Sequence, residues 1–283
     1  MKRSESAMPD PRAAAAGRLA LLGGEIALQH LEDARVRWKA DGSMVTDVDL
    51  VIQERLCEEI RAAFPQDGIL GEEGVIRVTW PPNPRYWWVL DPLDGTANYG
   101  QGIPGFGISL GILRNGQPFA GAVYDPTADW LYLGCVGYGA WLNGRRLELR
   151  RQALSPRSFI AIRSPYEAGV PDFVLHWLGR YRVRRFGSTA LQLCYVASGA
   201  LALVHDQRAF LWDLAGAAPI LLQAGGVLSR PDGSPLFPLR PEAYHGEPLA
   251  FLAGDPGAHA EGLQDILGEH VPASSRLGAQ HGA

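Results

Sequence analysis

Asp91 and Asp94 stand three residues apart in WVLDPLDGTANY (Trp88 to Tyr99), at the end of an apolar run, YWWVL, that begins at Tyr86. A run this apolar belongs in a core, so it delivers both carboxylates to the end of a buried strand. Two carboxylates about 5 Å apart repel by about 3 kcal/mol at an effective dielectric near 20. Without a cation, one of them takes a proton. Oxygen ligands with no histidine or cysteine among them suit magnesium, or manganese, better than zinc. The bend at Pro92-Leu93 frees the Leu93 carbonyl as a further oxygen ligand. Gly95 and Thr96 then open a turn or helix whose unpaired N–H groups suit a phosphate. These residue types at this spacing predict metal-assisted chemistry on a phosphate ester.

Three further acidic elements belong to the same reading: Asp49 in VTDVD, Glu72 and Glu73 in LGEEG, and Asp213 after Trp212. Each also has an ordinary role open to it. Asp49 completes a capping box with Thr46, Glu72 and Glu73 suit a surface turn, and Asp213 sits where a helix N-cap belongs.

The elements that must position these residues follow from periodicity. Leu19, Leu22 and Ile26 predict an amphipathic helix from Ala13 to about Glu32, and Ile52, Leu56 and Ile60 a second one that Pro65 stops. From Tyr86 to Leu149 short β-type runs are separated by Asn115-Gly116 and Asn143-Gly144, which predicts hairpins and an antiparallel sheet. Beyond Arg151 strands and helices alternate. SFIAIRS, RVRRF and ALALVHD read as strands, with helices over Asp172 to Gly179 and Thr189 to Ser198. A helix from Asp213 to Ala224, kinked by Pro219, is followed by a hairpin around Asp232-Gly233, the strand PLAFLAG and a last helix to about Leu267. The chain thus divides into a loose start (1–12), an antiparallel-sheet half (13–150), an α/β half (151–271) and a tail (272–283).

Composition narrows the function classes. The 283 residues are 47% hydrophobic and 20% charged, with 30 acidic against 26 basic residues and a formal net charge of -4. This offers no general attraction for nucleic acid or an anionic membrane, and no stretch approaches the ~20 apolar residues of a membrane span. The alanine-rich start imitates a signal peptide, but Pro9, Asp10, Pro11 and Arg18 interrupt it. Cys57, Cys135 and Cys194 are widely spaced and form no CxxC pair, so they read as core thiols of a cytoplasmic protein.

Four stretches in order, VTDVD (Val45 to Asp49), GEEG (Gly71 to Gly74), WVLDPLDGTANY and WDLAGAAPILLQAGG (Trp212 to Gly226), resemble the inositol monophosphatase superfamily of magnesium-dependent, lithium-sensitive phosphatases, which includes fructose-1,6-bisphosphatases. The resemblance spans about residues 13 to 270. It implies an α+β fold, a layered αβαβα sandwich, and usually a homodimer.

It also implies roles. Glu72, Asp91 and the Leu93 carbonyl would hold one magnesium, and Asp91, Asp94 and Asp213 a second that stabilises the leaving alkoxide, with a weaker third sharing the Glu72 side. Thr96 and Asp49 would form a hydroxyl–carboxylate pair that helps deprotonate metal-held water. Glu72 would be catalytic beside them, while the Gly95 and Thr96 amides grip the phosphate. Phosphate monoester hydrolysis needs acceleration of up to ~10²¹, which suits metal-activated water. The loop Lys39 to Ser43 would close over the site.

Leaving-group contacts are expected from Ser188, Thr189 and Asp206, with Asp206 where inositol-specific members carry glutamate. The expected substrate is a small sugar or polyol phosphate, first of all inositol 1-phosphate. Arg182, Arg184 and Arg185 suit a second phosphate, as in fructose 1,6-bisphosphate, or merely line an exposed strand. Histidinol phosphate, 3'-phosphoadenosine nucleotides and NADP are the other phosphatase readings. A binding or regulatory protein that keeps the fold without catalysis is the reading from another class.

Overall fold

The structure, a computed structural model, describes residues 8, 10–32, 36–38, 44–73, 77–78, 84–163, 165–166 and 169–268. The predicted lid loop at 39–43, Gly74 of the GEEG stretch, most of the loose start and the tail lie outside the described residues.

Helix α1 (Pro11–Gln29) starts where Asp10 caps the Arg12 N–H at 2.8 Å, with Pro11 at its first position. Strands β1 (Val36–Trp38) and β2 (Met44–Thr46) pair antiparallel, and β2 runs straight into α2 (Asp47–Ala63). The predicted capping box is present there, with Asp49 Oδ2 accepting from the Thr46 N–H.

An eight-stranded sheet follows from β3 (Gly68–Gly71), β4 (Arg77–Val78), β5 (Tyr86–Asp94), β6 (Gly107–Arg114), β7 (Gln117–Asp125), β8 (Trp130–Cys135), β9 (Gly139–Leu142) and β10 (Arg145–Leu147). Its spatial order is β10-β9-β8-β7-β6-β5-β3-β4. Asn115-Gly116 and Asn143-Gly144 make the expected turns between β6 and β7 and between β9 and β10, all four residues at positive φ as a type I′ turn requires. The sheet is not wholly antiparallel: β4 lies on the outer side of β3, so the chain reverses twice and β5 runs parallel to β3.

Between β5 and β6 lies the short helix α3 (Thr96–Gly100). The second half contributes β11 (Phe159–Ile162), α4 (Asp172–Arg180), β12 (Arg182–Arg184), α5 (Thr189–Ala197), β13 (Leu203–Ala209), α6 (Leu211–Ala215), α7 (Ala217–Gln223), β14 (Val227–Ser229), β15 (Leu249–Gly254) and α8 (Pro256–Ile266). Its five strands form a mixed sheet in the order β12-β11-β13-β15-β14, parallel where helices join the strands and antiparallel at β13, β15 and β14.

The layers follow from three apolar clusters. Ile52, Leu56 and Ile60 of α2 and the alanines of α1 cover one face of the large sheet together with Trp88 and Leu90 of β5. The other face, with Val89 and Tyr132, packs on α5, α6 and α7, whose far side meets Val204 and Phe251 of the small sheet. Val174 and Trp177 of α4 and Ala258 of α8 close the outside. The fold is the αβαβα sandwich of an α+β protein.

The helix expected from Asp213 to Ala224 is instead two helices broken at Gly216. Pro219 has no N–H to give the Ala215 carbonyl, so the helix breaks one turn upstream and Pro219 sits in the first turn of α7, where no intrahelical acceptor is needed. Both helices rest on a rib of glycines, Gly111, Gly121 and Gly134, paired in register across β6, β7 and β8. A Cβ on Gly121 would stand 2.8 Å from Pro219 Cγ, and one on Gly134 2.6 Å from Ile220 Cα. Bare backbone at these positions lets the α6–α7 layer approach the sheet and seats Asp213 at its edge.

Candidate active site

A cleft of about 490 Å³ opens where the ends of β5 and α3 face α6 and the ends of β11 and β13. Glu72, Asp91, Leu93, Asp94, Gly95, Thr96, Thr189, Asp206 and Asp213 all line it. Residues spread over 142 positions of sequence, from Glu72 to Asp213, are thus brought to one site.

Asp91 and Asp94 reach the cleft together because β5 is irregular between them. In a regular strand residues three apart point to opposite faces. Here Asp91 pairs with Ser109 and Asp94 with Gly107, so the three steps on β5 span two on β6. The extra residue at Pro92-Leu93 resets the alternation, and proline is suited to the gap because it has no ladder N–H to lose. Asp91 Oδ1 accepts from the Leu93 N–H at 3.0 Å, which fixes the bend.

Asp94 is held from the other half of the chain. The Ser188 hydroxyl donates to Oδ2 at 2.6 Å, the Ala190 N–H to the same oxygen at 2.5 Å, and the Thr189 N–H to Oδ1 at 3.2 Å. The carboxylate therefore sits on the N-terminus of α5, where free amides favour negative charge. Asp213 Oδ2 accepts from the Phe210 N–H at 2.9 Å at the start of α6. Glu72 follows β3, with its N–H on the Leu90 carbonyl at 3.2 Å.

Burial without compensating charge dominates the electrostatics. It raises Asp91 well above the usual carboxylate range, reinforced by repulsion from Glu72, Asp94 and Asp213. Burial likewise raises Asp213, with repulsion from Asp94 and Glu72 added. Asp94 is raised by burial to about 6, its bonds to Ser188, Ala190 and Thr189 holding it down. Among the described residues, no three Asp, Glu, His or Cys side chains already close around one point. The donor set is nevertheless all oxygen, and one oxygen of Asp91 and one of Asp213 remain beyond those taken by backbone amides. Such a set fits a hard divalent cation.

Thr96 and Asp49 also meet. Thr96 Oγ1 lies 3.1 Å from Asp49 Oδ1 and 3.0 Å from the Leu93 carbonyl, so its single proton is offered to one of two acceptors. Asp49 is wholly buried, and burial raises it to about 6 against the bonds from Thr46 and Thr96. Gly95, at φ +96°, turns the chain from β5 into α3 and leaves the first-turn amides of that helix free of intrahelical acceptors.

The residues expected to contact the leaving group separate. Thr189 and Asp206 line the cleft, with Thr189 Oγ1 3.4 Å from Asp206 Oδ2. Ser188 is fully buried, and its hydroxyl is given to Asp94. Arg182 and Arg184 are exposed and lie over the Phe159 ring at 5.5 and 4.9 Å, whereas Arg185 lines the cleft.

Sequence reasoning did not single out four residues of this neighbourhood. Gln53 clamps the Glu73 backbone at both ends, its Nε2 on the Glu73 carbonyl at 2.8 Å and its Oε1 on the Glu73 N–H at 3.0 Å. The signal was present, since Gln53 is a polar residue one turn from Asp49 on the buried stripe of α2. Asn98 ties α3 to the segment before β6 through the Gly105 carbonyl at 2.8 Å and to the second half through the Phe186 carbonyl at 2.6 Å. Trp38 stands at the cleft 68% exposed, and Arg163 pairs with Asp206 at 3.6 Å.

Comparison with known proteins places this geometry. The profile of the inositol monophosphatase family matches residues 8–271. A Nus factor SuhB of Xylella fastidiosa is 32% identical over 218 residues, 72% of this chain and 76% of that protein. A fructose-1,6-bisphosphatase/inositol-1-monophosphatase of Aquifex aeolicus is 31% identical over 219 residues, 74% of this chain and 81% of that protein. The solved structure of an inositol monophosphatase from Anabaena (Nostoc) superposes with a TM-score of 0.75 at 30% identity, covering 92% of this chain and 96% of the other.

Proposed function

From the premise that this chain belongs to the inositol monophosphatase family, a family of phosphomonoesterases, we propose that it is a magnesium-dependent phosphatase of a small sugar or polyol phosphate, with inositol 1-phosphate the leading substrate. The observation that carries the reading is the burial of Asp91, Asp94 and Asp213 at one cleft, each raised by burial and Asp91 and Asp213 raised further by their acidic neighbours. A fold keeps such repulsion when a cation relieves it in use.

Glu72, Asp91, the Leu93 carbonyl, Asp94 and Asp213 would hold two or three magnesium ions, and manganese satisfies the same oxygen donors. When bound, magnesium supplies the charge that polarises the phosphoryl group and acidifies the attacking water. The chain's own residues do the rest. The Gly95 and Thr96 amides face the phosphate at the start of α3. Thr96 Oγ1 takes a proton from the attacking water as it passes its own to Asp49 Oδ1, 3.1 Å away. Asp49 can receive it because it is ionised above about pH 6. Thr189, with Asp206 behind it, lines the far end of the cleft, where the leaving group would lie. A homodimer in the cytoplasm is the proposed state, and among the described residues no helix is long and apolar enough to cross a membrane.

The test is phosphate release with magnesium from inositol 1-phosphate, fructose 1,6-bisphosphate, histidinol phosphate, a 3'-phosphoadenosine nucleotide and NADP in parallel. Highest kcat/KM on a sugar or polyol ester is expected. Preference for histidinol phosphate or a nucleotide would replace the substrate class, and release from none would favour a binding protein.

A further inference from the structure

The far end of the cleft differs in charge from the end that faces the phosphate. Glu72, Asp91, Asp94 and Asp213 crowd one side, and among the described residues lining the cleft the cations are Arg163 and Arg185. Arg163 follows β11, and its backbone N–H bonds the His205 carbonyl at 3.2 Å, which carries it alongside Asp206. Its Nη1 donates to the Arg208 carbonyl at 2.8 Å and stands 3.6 Å from Asp206 Oδ2.

Asp206 is consequently engaged on both oxygens. Oδ1 accepts from the Arg208 N–H at 2.8 Å, Oδ2 faces Arg163 and the Thr189 hydroxyl, and the residue is only 2% exposed. An acid so occupied is poorly placed to read a substrate hydroxyl. Arg163 is the reverse case. Its planar fork carries five donors, the contacts above use only Nη1, and Nε and Nη2 make no hydrogen bond among the described residues, with the side chain 35% exposed. Arg185, exposed in the same cleft, makes no hydrogen bond or ion pair among the described residues. A guanidinium presenting an unused edge into a cleft suits a carboxylate or a phosphate, which it meets with two parallel hydrogen bonds.

We infer that Arg163, with Arg185 in the same cleft, determines specificity by reading an anionic substituent on the leaving group, a carboxylate or a second phosphate. Asp206 then serves to orient Arg163. This rests on the phosphatase reading of the site and moves the preferred ester from inositol 1-phosphate to one whose leaving group carries an anion.

Matched ester pairs test it: 3-phosphoglycerate against glycerol 3-phosphate for a carboxylate, and fructose 1,6-bisphosphate against fructose 1-phosphate for a second phosphate. In at least one pair the wild-type chain should favour the anionic member by about tenfold or more in kcat/KM, the size of a charge-assisted hydrogen bond. Which pair shows the preference identifies the anion. Arg163→Gln should erase most of that ratio through KM, and Arg163→Lys should restore part of it. Arg185→Gln, at an exposed position, should lower the ratio severalfold and carries the test if Arg163→Gln does not fold. Equal use of both members in each pair, or a ratio unmoved by these substitutions, overturns the inference while leaving the phosphatase reading intact. Turnover of none of the four esters, nor of inositol 1-phosphate, overturns both.

Discussion

Asp91 and Asp49 carry opposite lessons about a buried carboxylate. Asp91 is buried beside other acids and is raised by burial first and by Glu72, Asp94 and Asp213 next. Its neutral isostere should therefore relieve strain while removing a ligand. Asp91→Asn is expected to raise the melting temperature of the metal-free protein at pH 7.5, to gain less from added magnesium than the wild type, and to lose at least about a hundredfold in turnover. A mutant that turns over normally contradicts the site assignment. Asp49, in contrast, is proposed to work by staying ionised next to Thr96. With its carboxyl raised to about 6, it is charged above that pH and neutral below it. Turnover should fall as pH drops through about 6, and Thr96→Ala should cost roughly 10²- to 10⁴-fold in kcat, the usual range for a positioned proton acceptor. A rate that stays flat from pH 7.5 to 5 contradicts the Thr96–Asp49 relay.

At the scale of elements, the site depends on three departures from regular structure: the irregular step in β5, the turn at Gly95 and the break at Gly216. The first two are written in DPLDGT, since proline resists a ladder position and glycine alone is at ease at φ +96°. A Cβ on Gly95 would lie 3.3 Å from both the Gly105 carbonyl oxygen and Phe106 Cα. Gly95→Ala should destabilise by about 1 kcal/mol or more and displace the α3 amides, seen as a lower melting temperature and a raised KM. Preserved KM and stability would contradict their role. The break at Gly216 was legible only in part. Pro219 signalled an interruption, but its position one turn upstream depends on the glycine rib of β6, β7 and β8, and cross-strand register is not visible in a single chain. For the same reason Ser188 read as a leaving-group contact: its place in GST was evident, whereas its burial against Asp94 arises from the docking of α5 on the end of β5. Arg163 gave no periodic signal, because its partner Asp206 lies on a neighbouring strand 43 residues away.

For the whole molecule, the sandwich places its most costly charges where the two sheets and the middle helices meet. Period-two and helical patterns, with two Asn-Gly turns, made most of the elements legible, and the layered order came from resemblance to a family. Because burial raises Asp49 and Asp94 to about 6 and holds Asp91 and Asp213 well above the usual carboxylate range, the folded metal-free chain binds more protons than the unfolded chain as pH rises from the ordinary value of 3.8. Its stability from these groups is present at low pH and is lost as pH rises through the raised values. Magnesium should therefore raise the melting temperature more at pH 7.5 than at pH 5, and equal shifts would contradict the proposed charge compensation.

The most direct measurement is phosphate release from inositol 1-phosphate by chelated wild-type and Asp91→Asn protein, side by side, as magnesium is added back. The proposed site predicts that the wild type is silent until magnesium is restored and then turns over, while the mutant stays silent at the same concentrations. Release by the chelated wild type, or equal recovery in the mutant, would contradict a magnesium-dependent phosphatase centred on Asp91.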